Sequence, residues 1–172
     1  MGTERTRTIH RKDYTPPAWL ADRIELEFDL DPERTLVTAT TQLRRNPAGA
    51  DPAAPLVLDG DSLELVEIAV DGRPLSAGEF EPGAGRLTIA GAQLPAELTL
   101  RVVTALNPSA NSALMGLYVS NGNFFTQCEA EGFRRITWFP DRPDVMARYR
   151  VTLRAERERW PVLLSNGNLV DE

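Results

Sequence analysis

The chain has 172 residues, enough for one domain or slightly more, with a sizeable core. Hydrophobic residues make up 42% and charged residues 26%, the balance of an ordinary soluble globular protein. The net charge of -6 argues against nucleic acid as the main partner, because phosphate binding wants a basic face.

All but one of the 19 basic residues are arginine, scattered along the chain and not clustered. The single cysteine, Cys128, allows no internal disulfide and points to a reducing compartment. The opening MGTERTRTIHRKDY has no apolar stretch of the length a signal peptide needs. No run approaches the ~18 apolar residues of a membrane span. Met1-Gly2 with Thr6 fits the myristoylation pattern loosely and is read as a start codon followed by a small residue. The expectation is a soluble, cytoplasmic protein that binds neither nucleic acid nor membrane.

Alternation dominates the first hundred residues. Ile24, Leu26, Phe28 and Leu30 alternate with Glu25, Glu27 and Asp29, the period of a half-buried strand. Asp31-Pro32-Glu33-Arg34 reads as a turn, after which Val37, Ala39, Thr41 and Leu43 resume the alternation. Residues 47–55, rich in Pro and Ala, form a loop. Leu56-Val57-Leu58 and Leu63 to Val70 follow as strands, with Asp59-Gly60-Asp61 between them. Asp71-Gly72 is a hairpin signal, since both turn positions tolerate positive φ. Leu87-Thr88-Ile89 and Leu98 to Thr104 continue the series, and the glycines of Glu79 to Gly85 fall in a polar hairpin region. Short strands at this spacing predict an all-β sandwich or open barrel.

After Leu106 the texture changes. Asn107 to Ser112 is a polar loop. Leu117-Tyr118-Val119 and Phe124-Phe125-Thr126 flank Ser120-Asn121-Gly122-Asn123, a strong hairpin pattern. The same tetrapeptide returns at Ser165 to Asn168 after Val162-Leu163-Leu164, which predicts the same turn a second time. Phe133 to Phe139 accommodates one short helical turn, and Tyr149 to Leu153 alternates as a strand. A second hairpin whose return arm is cut short near Asp171 leads to the expectation of a domain truncated before its last strands.

Little chemistry is available to these residues. One histidine, His10, lies in a polar tail, and there is no HExxH pair, so a catalytic zinc site cannot be assembled. Cys128 has no base nearby in sequence and reads as a buried structural thiol. The stretch TQCEAEGFRRITWFPDRPD, Thr126 to Asp144, concentrates what remains. In an extended segment Glu129 and Glu131 point to one side, fit for acid/base work or for holding a cation. The competing reading is a solvated loop in which Arg134 and Arg135 are their partners. Asp141 to Asp144 reads as a charged turn, and Trp138 with Phe139 as core.

Three strings resemble the amino-terminal domain of the aminopeptidase N family, zinc-dependent exopeptidases of the gluzincin class, in its bacterial form. They are TQCEAEGFRRITWFPDRPDVMARYRV at 126–151, NPSANSALMGLYVS at 107–120 and WPVLLSNGN at 160–168. Weaker agreement runs back to DYTPP, so the resemblance covers nearly the whole chain, residues 1–172. It implies a saddle-like antiparallel β-domain with long loops, packed against a thermolysin-like catalytic domain of the same protein. It also implies that Gln127 and Glu129 bind the free α-amino group of a peptide substrate, while Glu131 is structural. The zinc, the G-A-M-E-N motif and the HExxH…E site of the family would lie outside these residues. The expected role is therefore substrate anchoring, with no catalytic and no metal-binding residue in the chain and no peptidase activity by itself. The alternative is a free-standing β-sandwich binding or interaction module.

Overall fold

The structure, a computed structural model, describes residues 10–49 and 51–171. The loose Met1-Gly2 pattern lies outside the described residues. The strands in chain order are β1 (Trp19–Asp29), β2 (Thr35–Arg45), β3 (Leu56–Asp59), β4 (Glu64–Val70), β5 (Arg73–Pro74) and β6 (Phe80–Gly83). They continue as β7 (Arg86–Ile89), β8 (Glu97–Leu106), β9 (Gly116–Ser120), β10 (Asn123–Gln127) and β11 (Arg148–Arg154). Helical structure among the described residues is confined to three-residue 3₁₀ turns, one of them at Phe133–Arg135 as expected. None is long and apolar enough to cross a membrane.

Six strands form one sheet in the order β11-β1-β2-β8-β4-β5. In β1 and β2 the alternating residues Ile24, Leu26, Phe28, Val37, Ala39 and Leu43 are buried while their neighbours face outward. The turn between them is closed by Asp31, whose Oδ1 accepts from the backbone N–H groups of Glu33 and Arg34, each at 2.8 Å. A three-stranded sheet, β3-β7-β6, supplies Leu56, Leu58, Leu87 and Ile89 to the same buried cluster. Each such side chain contributes about 1.5–3 kcal/mol by leaving water. The third sheet is the β9–β10 hairpin.

The all-β expectation holds, with differences inside it. β11 pairs in parallel with β1, Ile24 opposite Tyr149 and Phe28 opposite Leu153, in an otherwise antiparallel sheet. Alternation marks a strand but carries no direction, so this pairing has no local signal. β6 and β7 form a hairpin at the polar stretch Glu79 to Gly85, as expected, though Phe80-Glu81-Pro82-Gly83 is too short and polar to mark a strand by itself. The second Ser-Asn-Gly-Asn, at Ser165 to Asn168, makes no hairpin: residues 161–171 carry no strand, and Val162, Leu164, Leu169 and Val170 are exposed. At Ser120 to Asn123, Asn121 (φ 49°) and Gly122 (φ 78°) do make the turn, between arms that pair.

The turn after β3 ties the two halves of the chain together. Asp59 N–H donates to Phe139 O at 2.8 Å and Phe139 N–H donates back to Asp59 O at 3.2 Å, an isolated antiparallel bridge. Gly60 lies flat on the buried Trp138 indole, where a Cβ would sit 2.3 Å from a ring carbon. No side chain fits there without displacing the ring. Gly60→Ala is accordingly expected to destabilise the fold by about 1–3 kcal/mol through overpacking, read as a lower urea midpoint at unchanged m-value.

Several carboxylates lie below their ordinary pKa. Arg34 and Glu33 N–H groups lower Asp31, the Ser76 N–H and Arg73 lower Glu79, and the Arg142 guanidinium lowers Asp144. A depressed folded-state pKa contributes stability above the unfolded value and loses it as pH falls through the folded one. The urea midpoint should therefore fall progressively below about pH 4 and be flat from about pH 5 to 7.

Candidate functional site

The segment that holds Gln127 and Glu129 begins as β10 and leaves the sheet at its last rung. In the β9–β10 register Phe125 faces Tyr118, their rings stacked with centroids 5.7 Å apart, and Gln127 faces Gly116. The hairpin is held from outside by Trp160, which donates its indole N–H to Gly122 O at 2.9 Å and packs on Phe124 at 5.0 Å. Gly116, at φ 73°, lies against Arg135: a Cβ there would meet the Arg135 Cβ at 2.7 Å.

Beyond Gln127 the chain turns back at once. Gly132 N–H donates to Cys128 O at 2.9 Å, closing the loop that contains Glu129, Ala130 and Glu131. Gly132 packs so tightly that a Cβ would lie 2.3 Å from Gln127 O. The Gln127 amide donates to the Glu129 backbone carbonyl at 3.3 Å. Both side chains are exposed, Gln127 on the last rung of β10 and Glu129 two residues on in the loop. The loop overturns the extended arrangement expected for Glu129 and Glu131, because a tight turn closed by Gly132 replaces a strand's alternation.

The two glutamates have different surroundings. Glu131 pairs with Arg134 at 3.3 Å and is otherwise open to solvent. Arg134 is held more firmly by Asp141, whose Oδ2 accepts from its Nε at 2.9 Å and from its backbone N–H at 3.2 Å. Burial works against the Arg134 charge, but Asp141, Asp59 and Glu131 together outweigh it and the pKa is raised. Arg142 forks onto both oxygens of Asp144 and also donates to Thr15 O at 2.9 Å, fastening the amino-terminal segment. The charged turn at Asp141 to Asp144 is thus a structural clasp and not merely solvated. Of the carboxylates in Thr126 to Asp144, Glu129 alone has no cationic partner among the described residues.

The other candidates take structural places. Trp138 and Phe139 are buried as expected, Phe139 edge-on to Phe133 at 5.1 Å. Cys128 is half-buried against the core, and burial, assisted by Asp141, pushes its thiol pKa up. It is the opposite of an activated nucleophile. His10 is exposed ahead of the turn at Arg11–Asp13. No three His, Cys, Asp or Glu side chains converge to hold a metal ion among the described residues. A zinc ion therefore does not fit the residues described. Missed in the sequence were Asp59 and Asp61, which reach Asp141 and Arg135 in the segment after this loop, across more than seventy residues. Their one local mark was the Asp-Gly-Asp triplet.

An exposed carboxylate with a neighbouring amide, presented by a rigid loop and left without an internal cation, is suited to receive a cationic donor group. The family model of the peptidase M1 N-terminal domain matches residues 20–172. Aminopeptidase N of Caulobacter vibrioides is 50% identical over 170 residues, which is 99% of this chain and 19% of that protein. Aminopeptidase N of Escherichia coli is 44% identical over 168 residues, 98% of this chain and 18% of that protein. The crystal structure of Legionella pneumophila aminopeptidase A in complex with aspartic acid superposes with a TM-score of 0.85 at 31% identity, covering 93% of this chain and 19% of that one. The chain spans about a fifth of the length of the curated relatives it matches. A match that runs from the second residue of β1 to the end of the sequence leaves one assignment: the chain belongs to the peptidase M1 N-terminal domain family.

Proposed function

We propose that the chain is the substrate-anchoring, non-catalytic amino-terminal β-domain of a zinc-dependent aminopeptidase, which removes N-terminal residues from peptides. In this reading Gln127 and Glu129 receive the free α-amino group of the substrate. The observation that carries it is the Glu129 carboxylate: it stands exposed on a clamped loop while the neighbouring acids are committed to arginines. The likeness to aminopeptidases along nearly the whole chain supports the same reading.

The chemistry follows from the charge of the ligand. An α-amine has a pKa of about 7.7–8.0 and is largely an ammonium at neutral pH. A carboxylate accepts its protons in charge-assisted hydrogen bonds, and the Gln127 carbonyl oxygen accepts another. A blocked or internal amine offers no such group, and the contact fixes how far a peptide enters. The catalytic domain of the same protein is the partner that would cover the loop, exclude water and strengthen the contact. Zinc, which in such an enzyme activates the attacking water, would be held by that domain's residues.

Two measurements test this. In the whole protein, Glu129→Gln and Glu129→Ala should each lower kcat/KM for an aminoacyl substrate about 10- to 150-fold, the ~1.5–3 kcal/mol of a hydrogen bond to a charged group. Wild-type kcat/KM in both variants overturns the anchoring role. The chain by itself, supplied with zinc, should hydrolyse no aminoacyl amide, and measurable turnover would place catalytic groups within it.

A further inference from the structure

We propose that the Asp59-Gly60-Asp61 turn sets the position of the Gln127/Glu129 loop, with Asp61 acting through Arg135 and Asp59 through Asp141 and Arg134. The inference rests on the amine-binding reading and adds to it two positioning residues remote in sequence from the loop.

The contacts form two physical routes, one to each end of the loop. On the first, Arg135 Nη1 donates to Asp61 Oδ2 at 2.5 Å. The Arg135 Cβ lies against Gly116, and Gly116 is the cross-strand partner of Gln127. Fixing Arg135 therefore fixes the rung from which the loop departs. On the second, Asp141 N–H donates to Asp59 Oδ2 at 3.2 Å, and Asp141 grips both the backbone and the guanidinium of Arg134. Arg134 in turn pairs with Glu131, on the return side of the loop. Backbone bonds join the routes to the same turn: Asp61 N–H donates to Arg134 O at 2.8 Å, beside the Asp59–Phe139 bridge.

The arrangement exceeds what packing requires. Gly60 on Trp138 and the Asp59–Phe139 bridge would suffice to dock the segment. The Asp61–Arg135 pair is partly exposed, with 46% and 23% of the side chains accessible, so it adds little to stability. It also engages the guanidinium of the residue that packs on Gly116 with a carboxylate other than Glu129. A displacement of about 1 Å at a recognition group costs as much as ~100-fold in rate, so a weak contact has a large lever at this place.

The test compares leucine hydroxamate with its des-amino analogue, 4-methylpentanehydroxamic acid, as inhibitors of the whole enzyme. The ratio of their inhibition constants reads the amine contact alone and does not depend on the active fraction, so mere destabilisation leaves it unchanged. Asp61→Asn is expected to shrink the wild-type ratio roughly tenfold while kcat for an unhindered substrate changes less. Glu129→Gln is the control, expected to shrink the ratio further, to what the Gln127 contact leaves. If Glu129→Gln collapses the ratio and Asp61→Asn leaves it at the wild-type value, the positioning role is overturned and the amine reading stands. If Glu129→Gln leaves the ratio intact, the amine reading falls and this inference falls with it. Should Asp61→Asn give no folded enzyme, Arg135→Lys keeps the charge, loses the planar fork and must shrink the ratio in the same direction.

Discussion

An indole ring resting on a glycine governs the end of the domain that carries the Cys128–Gly132 loop. Trp138 can approach the turn after β3 only because Gly60 has no side chain, and that approach brings Phe139 into register with Asp59. Much of the stretch from Phe133 to Asp144 is then fastened to the turn at residues 59–61. The hairpin β9–β10 meets this platform through Gly116 and Arg135, so the loop from Cys128 to Gly132 is gripped at both of its ends. Little of this grip is large in energy. Its value lies in geometry, since a short loop with fixed ends has few ways to relocate a single carboxylate.

Charge is distributed to the same end. The arginines beside the loop are engaged by acids from elsewhere, Arg135 by Asp61 and Arg134 chiefly by Asp141. A guanidinium suits that task, because its planar fork binds one or two oxygens in a set direction and a lysine would not hold the same line. Glu129 is left over by this pairing, and its availability is a product of the whole network and not of its own position alone. The overall charge of -6 gives no hint of so local an arrangement.

The strands that could be read in the sequence were those with a marked alternation or with turn residues between two apolar runs. Asn121-Gly122 between Leu117 to Val119 and Phe124 to Thr126 announced β9 and β10, and the alternation of Ile24 to Phe28 announced β1. Where the deciding partner is distant, the local pattern failed. β11 reads as a strand but borrows its direction from β1, 125 positions away in the Arg23–Arg148 register. The tetrapeptide at Ser165 to Asn168 is identical to the one at Ser120 and makes no hairpin, for turn residues need two arms to join. The pairing of Glu129 with Glu131 looked like one face of a strand, and Gly132 converts it into a turn. Gln127 was reached only through a resemblance of strings, which also narrowed the role of Glu129, and Asp59 and Asp61 were not reached at all.

The groups bordering the loop with displaced titrations are all displaced away from neutrality. Burial and Asp141 raise the Cys128 thiol, and burial with Asp141 and Cys128 raises the Tyr149 phenol. Arg134 is raised and Asp144 is lowered by their partners. Between about pH 6 and 8, where an α-amine takes up its proton, none of these four changes its charge. In the anchoring role proposed above, a ligand's own ionisation then becomes the variable to which the loop responds, and recognition follows the protonation state of one small group.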